Sequence, residues 1–175
     1  MVNDVRRAYF YAKASRDLYI EVPPEDPESG PNVLGKLELC LYGTRDAAKG
    51  WQETLSSHLV SIGFSRGVGH PAVFCHKARG IMTLVHGDDY FSSGKQTDLD
   101  WLEEELGKAY EIQTQKIGGD KCCDLEGKVL NHIVRYTDEG WQLEADPRHA
   151  ELIAEQLGVK GGRTVVTPGV DGQEE

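Results

Sequence analysis

The chain has 175 residues, of which 39% are hydrophobic, with 20 glycines and a formal net charge of −10. This composition excludes a disordered chain, and with no long apolar run or leader pattern the expectation is an intracellular protein, neither membrane-spanning nor secreted, with cytoplasm and nucleus not distinguished. The charge is uneven: residues 1–80 carry 10 Lys/Arg against 9 Asp/Glu, and residues 81–175 carry 9 against 20, which by bulk electrostatics votes against a phosphate backbone as partner.

In chain order, residues 18–22 alternate as a strand, residues 23–31 form an acidic loop too rich in proline for helix or strand, and residues 37–41 alternate again. Ala47, Trp51, Leu55 and Leu59 at steps of four predict a helix over 45–62, flanked by Ala48 and Ile62 and stopped by Gly63. Short apolar runs at 72–76, 81–85 and 90–92 read as strands. Thr97-x-x-Asp100 resembles a capping box opening a helix over 98–110, with Leu99, Leu102 and Leu106 on one face. Residues 125–136 and 141–145 read as strands around a turn at 137–140. Asp146 as N-cap, Pro147 at the first helical position and Gly158 after the last frame a helix over 147–157. Its stripe of Ala150, Ile153, Ala154 and Leu157 is predicted to be buried, and residues 169–175 read as a frayed tail. Helices and strands are interspersed without strict βαβ alternation. That pattern predicts an α+β fold with helices on one face of a mostly antiparallel sheet.

Several features read as structural. Cys40, Cys75, Cys122 and Cys123 lack a C-x-x-C pair and read as reduced thiols, and Cys75-His76 with Cys122-Cys123 has poor chelate spacing for zinc. Gly67-Val68-Gly69-His70-Pro71-Ala72 follows a helix and enters a strand, the wrong context for a dinucleotide loop. Trp51 reads as core, His58 as a surface or satisfied core histidine, and Glu103-Glu104-Glu105 as a solvated helix face. Lys160-Gly161-Gly162-Arg163 reads as a loop after a helix stop.

One feature points to chemistry. The run 81–85 enters His86-Gly87-Asp88-Asp89 and leaves through Tyr90-Phe91-Ser92, so a hairpin tip presents adjacent carboxylates. Adjacent like charges are unfavourable unless a cation or strong donors compensate, and Mg²⁺ takes hard oxygens from one or two carboxylates. A third carboxylate nearby would allow two-metal phosphoryl transfer. Taken alone, Asp-Asp at a turn is also an ordinary polar hairpin.

The neighbouring motifs resemble those of the reverse transcriptase domain of copia-type retrotransposons along nearly the whole chain. They are Asp4-Val5-Arg6-Arg7-Ala8-Tyr9-Phe10 and Asp17-Leu18-Tyr19-Ile20-Glu21-Val22-Pro23, then Leu41-Tyr42-Gly43-Thr44-Arg45-Asp46-Ala47-Ala48-Lys49-Gly50-Trp51. Gly63-Phe64 with His70-Pro71-Ala72-Val73-Phe74 follows, then His86-Gly87-Asp88-Asp89 and the closing Val165-Val166-Thr167-Pro168. Each is weak alone; their order and spacing together are specific.

The resemblance implies a right-hand polymerase palm over residues 1–168, with the fingers largely absent and the chain a fragment of a Pol polyprotein. It implies RNA-directed DNA synthesis with Asp4, Asp88 and Asp89 as catalytic, metal-binding carboxylates for two Mg²⁺ ions, Mn²⁺ being an alternative. Tyr9 would sit under the sugar and reject a 2′-hydroxyl, and Arg45 and Lys116 would bind substrate, Lys116 standing in for the family's pyrophosphate proton donor. The implied partners are deoxynucleoside triphosphates, an RNA or DNA template-primer and the remaining polyprotein. Asp46 replaces a motif glutamine and would repel a triphosphate unless it points elsewhere. Gly87 is expected to loosen the strand that aims the acid pair, and Asp4 is expected on a fraying terminus. The isolated chain is therefore expected to be weakly active or inactive. A non-catalytic remnant serving protein interaction and another two-metal enzyme such as a nucleotidyl cyclase remain the alternatives.

Overall fold

The computed structural model describes residues 1–145, 147–159 and 161. The predicted cap at Asp146, the residues Lys160, Gly162 and Arg163, the motif at 165–168 and the tail at 169–175 lie outside the described residues.

The body of the fold is a six-stranded antiparallel sheet. Its strands are β1 (Val2–Val5), β4 (Ser65–Arg66), β5 (Val73–His76), β6 (Ile81–His86), β7 (Asp89–Ser93) and β8 (Ile112–Gln115), in spatial order β4-β5-β6-β7-β1-β8. Between β1 and β4 come a 3-10 turn (Ala8–Tyr11), a small hairpin of β2 (Tyr19–Glu21) with β3 (Leu34–Lys36), and helix α1 (Ala47–Ser61). Helix α2 (Gln96–Ala109) joins β7 to β8. A second sheet follows, of β9 (Glu126–Val129), β10 (His132–Thr137) and β11 (Gly140–Ala145), in order β11-β10-β9. Helix α3 (Pro147–Gln156) closes the described chain.

Period-two burial explains how the large sheet sits. In β1, Asn3 and Val5 are buried while Val2 and Asp4 are half-exposed; in β6 and β7, Ile81, Thr83, Tyr90 and Ser92 are buried. That inward face meets Trp51, Leu55 and Leu59 of α1 and Leu99, Leu102 and Leu106 of α2 in one core, with Phe64 and Phe74. Each large apolar side chain so buried contributes on the order of 1.5–3 kcal/mol. Both predicted helix stripes are therefore core, and the α+β reading with helices on one face holds for α1 and α2.

Other expectations need correction. Helix α2 starts at Gln96 after Lys95, with no side-chain cap, so Thr97 is inside the first turn rather than capping it. Strand β3 lies upstream of residues 37–41, within which Leu39 makes only an isolated bridge to Lys13. Residues 125–136 are not one strand: Leu130 (φ 47°) and Asn131 (φ 63°) turn the chain between β9 and β10. The stripe predicted to be buried on helix α3 is largely exposed, with Ile153 57% and Leu157 71% exposed and only Ala154 half-buried. Among the described residues no helix is long and apolar enough to cross a membrane, and all four cysteines are free.

Candidate active site

The two ends of the chemistry meet through strand pairing. Asp4 of β1 is paired in register with Asp89 of β7, and on its other side with Gln113 of β8. His86 is Asp89's register partner on β6. Side-chain alternation thus sets His86, Asp89, Asp4 and Gln113 in one row across the sheet face turned away from α1 and α2. Asp4 and Gln113 of this row border an open depression lined also by Val2, Thr114 and Gln115. Asp4 is not on a frayed end, since β1 is an interior strand bonded on both sides.

The hydrogen-bond rhythm brings the two carboxylates close. Met1 and Ser92 exchange bonds (Ser92 N to Met1 O 2.8 Å, Met1 N to Ser92 O 2.9 Å), and Val5 N donates to Asp88 O at 3.1 Å. Antiparallel pairs alternate, so Asp4 and Asp89 fall in a non-hydrogen-bonded pair, where Cα atoms approach to about 4.5 Å and side chains stand nearest. Asp89 responds electrostatically: burial, then the charges of Asp88 and Asp4, push its carboxyl above the ordinary range, and His86 pulls it partly back.

Asp88 sits in the two-residue turn between His86 and Asp89. Gly87 has φ +64°, and Asp88 is not among the positive-φ residues. A positive φ at the first turn position alone is the type II′ pattern, which favours glycine there. Gly87 is thus a turn residue rather than a weak point inside a strand. The indole Nε1 of Trp51, itself buried, donates to Gly87 O at 2.8 Å.

Carboxylate oxygens are the donors a hard divalent ion takes, and the Asp4–Asp89 pair fits an Mg²⁺ site of one or two carboxylates completed by water and phosphate. Among the described residues, no three or more His, Cys, Asp or Glu side chains are grouped to hold a metal together.

The other predicted residues are scattered. Tyr9, in the 3-10 turn, stacks on Tyr42 with ring centroids 4.3 Å apart. It borders a cavity of about 210 Å³ shared with Trp51, Leu55, Pro71, Phe74 and Gly87. Arg45 is exposed just before α1 and shares no ion pair among the described residues. Asp46 is held by Arg16 in an ion pair, which is where it points. Lys116 follows β8 and bonds Asp100 Oδ1 at 2.7 Å and Glu103 Oε2 at 2.5 Å, both on α2. These contacts raise its pKa and hold it on the helix side of the sheet, opposite the Asp4–Asp89 face. The structure does not bring Lys116 to the acid row.

Sequence reasoning missed two polar contacts, Trp51 to the Gly87 carbonyl and Arg16 to Asp46. Trp51 was visible only as an apolar helix position, because an indole N–H has no sequence signature for its acceptor.

The described residues thus form a mixed α+β fold of mostly antiparallel sheet backed by helices, with paired acids on the free face of the large sheet. The chain belongs to the reverse transcriptase (RNA-dependent DNA polymerase) family, whose model matches residues 2–118. It is 30% identical over 99 residues, 55% of this chain, to a retrovirus-related Pol polyprotein from transposon RE1 of Arabidopsis thaliana. It is 24% identical over 174 residues, 94% of this chain, to the retrovirus-related Pol polyprotein from transposon TNT 1-94 of Nicotiana tabacum. A putative transposon Ty5-1 protein of Saccharomyces cerevisiae is 28% identical over 114 residues, 63% of this chain and 37% of that protein. The matches span 7% and 12% of the lengths of the two polyproteins.

Proposed function

We propose that the chain is the palm-like part of a copia-type retrotransposon Pol polyprotein and takes part in RNA-directed DNA polymerisation. Asp4, Asp88 and Asp89 are the proposed catalytic and metal-binding carboxylates, with Tyr9 and Arg45 toward the substrate. The observation that carries this reading is the register pairing of Asp4 with Asp89, which joins two motifs far apart in sequence on one free sheet face.

Divalent metal bound there supplies acidification of a primer 3′-hydroxyl and neutralisation of charge on the triphosphate. The chain's own residues provide the rest. Asp4 and Asp89 present oxygens from two adjacent, hydrogen-bonded strands, so the sheet register sets their spacing. Tyr9 is held flat by Tyr42, as a residue that limits room at a sugar must be. Arg45 offers a cation that no described acid neutralises.

Primer extension tests the reading. Purified chain, RNA template, labelled DNA primer, deoxynucleoside triphosphates and Mg²⁺ should give weak, template-dependent extension, lost in Asp4→Asn, Asp88→Asn and Asp89→Asn. Incorporation that needs no template would replace the reading with cyclase-like chemistry. No incorporation together with no Mn²⁺ binding would replace it with a non-catalytic interaction domain.

A further inference from the structure

We infer that Trp51 is a positioning residue that selects the turn geometry carrying Asp88. The inference rests on the polymerase reading for its purpose, but not for its geometry. Type I′ and type II′ turns differ by a flip of the central peptide, here Gly87–Asp88, whose oxygen is Gly87 O. That oxygen is the one Trp51 Nε1 binds, at 2.8 Å. A flipped peptide would swing the oxygen away from the indole and require a positive φ at Asp88, which the structure does not have.

The next carbonyl is held as well, because Asp88 O accepts from Val5 N at 3.1 Å. Asp88 is therefore fixed on both sides by elements distant in sequence, helix α1 on one and strand β1 on the other. Trp51 is itself immobilised: Tyr110 packs edge-on at 5.2 Å and Tyr11 lies 6.4 Å away. Tyr11 is tied down in turn, its hydroxyl accepting from Glu111 N at 2.8 Å. The indole N–H is a fixed donor that the turn must meet. A phenyl ring at this place would keep much of the packing and lose the donor, freeing the peptide to flip and Asp88 to re-aim.

The experiment uses the whole chain with ¹⁵N-labelled indoles. In the wild type, the Trp51 indole proton should exchange with deuterium at least about 100-fold more slowly than that of Trp141, which is 60% exposed. Equal rates would overturn the inference. In Trp51→Phe, the Asp88 and Asp89 amides should exchange at least about 10-fold faster while those of Ile81 and Thr83 in the same hairpin stay unchanged, and Mn²⁺ read by water-proton relaxation should bind about 10-fold more weakly. A merely structural tryptophan would accelerate the whole hairpin together, and that result, or unchanged exchange at 88–89, overturns the inference. If Trp51→Phe does not fold, the wild-type indole measurement still decides. Wild-type chain that binds no Mn²⁺ would sink the polymerase reading, while the exchange pattern would still judge the role of Trp51 in the turn.

Discussion

Asp4 and Asp89 share a rung between β1 and β7 without sharing a hydrogen bond, the arrangement that crowds two carboxylates most closely. Burial, with the charges of Asp88 and then Asp4 added to it, raises the Asp89 pKa, so keeping Asp89 ionised costs stability at neutral pH, and the cost fades as pH falls through the raised value toward the ordinary 3.8. Asp89→Asn should therefore raise the melting temperature at pH 7 by about 1–3 °C while abolishing primer extension. The stabilisation should shrink toward zero near pH 4. Calorimetry across that range checks both the sign and the window, and a destabilised variant at pH 7 would refute the account.

Arg16 neutralises Asp46 at the start of α1. The pair is partly exposed, so breaking it should cost at most about 1 kcal/mol of stability. Arg16→Ala should instead act on substrate, raising KM for deoxynucleoside triphosphates several-fold because a bare carboxylate now faces the triphosphate. Asp46→Gln, which restores the motif's amide, should lower KM. Steady-state primer extension separates these outcomes, and equal KM in both variants would place Asp46 away from substrate.

His58 packs edge-on against Tyr110 at 5.2 Å, and its buried Nε2 has no hydrogen-bond partner. Burial lowers its pKa below 6.5, with Glu105 pulling the other way. A depressed histidine favours the neutral folded form, so stability is fully present above pH 6.5 and is lost as pH falls through the lowered value. His58→Phe should flatten that acid loss and raise the melting temperature at pH 5.5 by about 2–4 °C. Thermal melts between pH 5 and 8 give the comparison directly.

Tyr9 lies flat on Tyr42. If the ring limits room at the sugar, Tyr9→Val should increase ribonucleotide incorporation by at least about tenfold, a modest steric discrimination. Tyr42→Ala should shift selectivity in the same direction by less, because it only unpins the ring. Competing ribo- and deoxynucleotides in one extension assay reads both variants.

The sequence revealed whichever elements were decided by one strong apolar face. The stripes of Trp51, Leu55 and Leu59 and of Leu99, Leu102 and Leu106 are core because a period of 3.6 leaves no other placement for them. The hairpin at β6–β7 was legible for the same kind of reason, two apolar runs around Gly87-Asp88. Residues 37–41 misled because the alternating leucines do not mark the buried side: Leu39 is 46% exposed, while Cys40, of the opposite parity, is buried. The turn at Leu130-Asn131 was hidden by a leucine in a left-handed conformation that only tertiary context enforces. At the site, motif order pointed to Asp4, Asp88 and Asp89 together, but which carboxylates oppose each other depends on register across distant strands. Lys116 went the other way: the family resemblance, one position out of step, suggested a pyrophosphate proton donor, and the acids of α2 hold it instead.

The position of β1 has a consequence for how the molecule is made. The contact of Met1, just before it, with Ser92 closes 91 residues, and that of its Asn3 with Thr114 closes 111, so it is among the most non-local strands in the sheet. During synthesis at roughly 5–20 residues per second, Asp4 leaves the ribosome several seconds or more before Asp89 exists. Loop-closure entropy then delays the rung further, since it is regained only when β7 and β8 flank β1 together. The carboxylate pair is thus a late product of folding, and an interrupted or shortened chain would assemble both helices and the β6–β7 hairpin before it ever brought the two acids face to face.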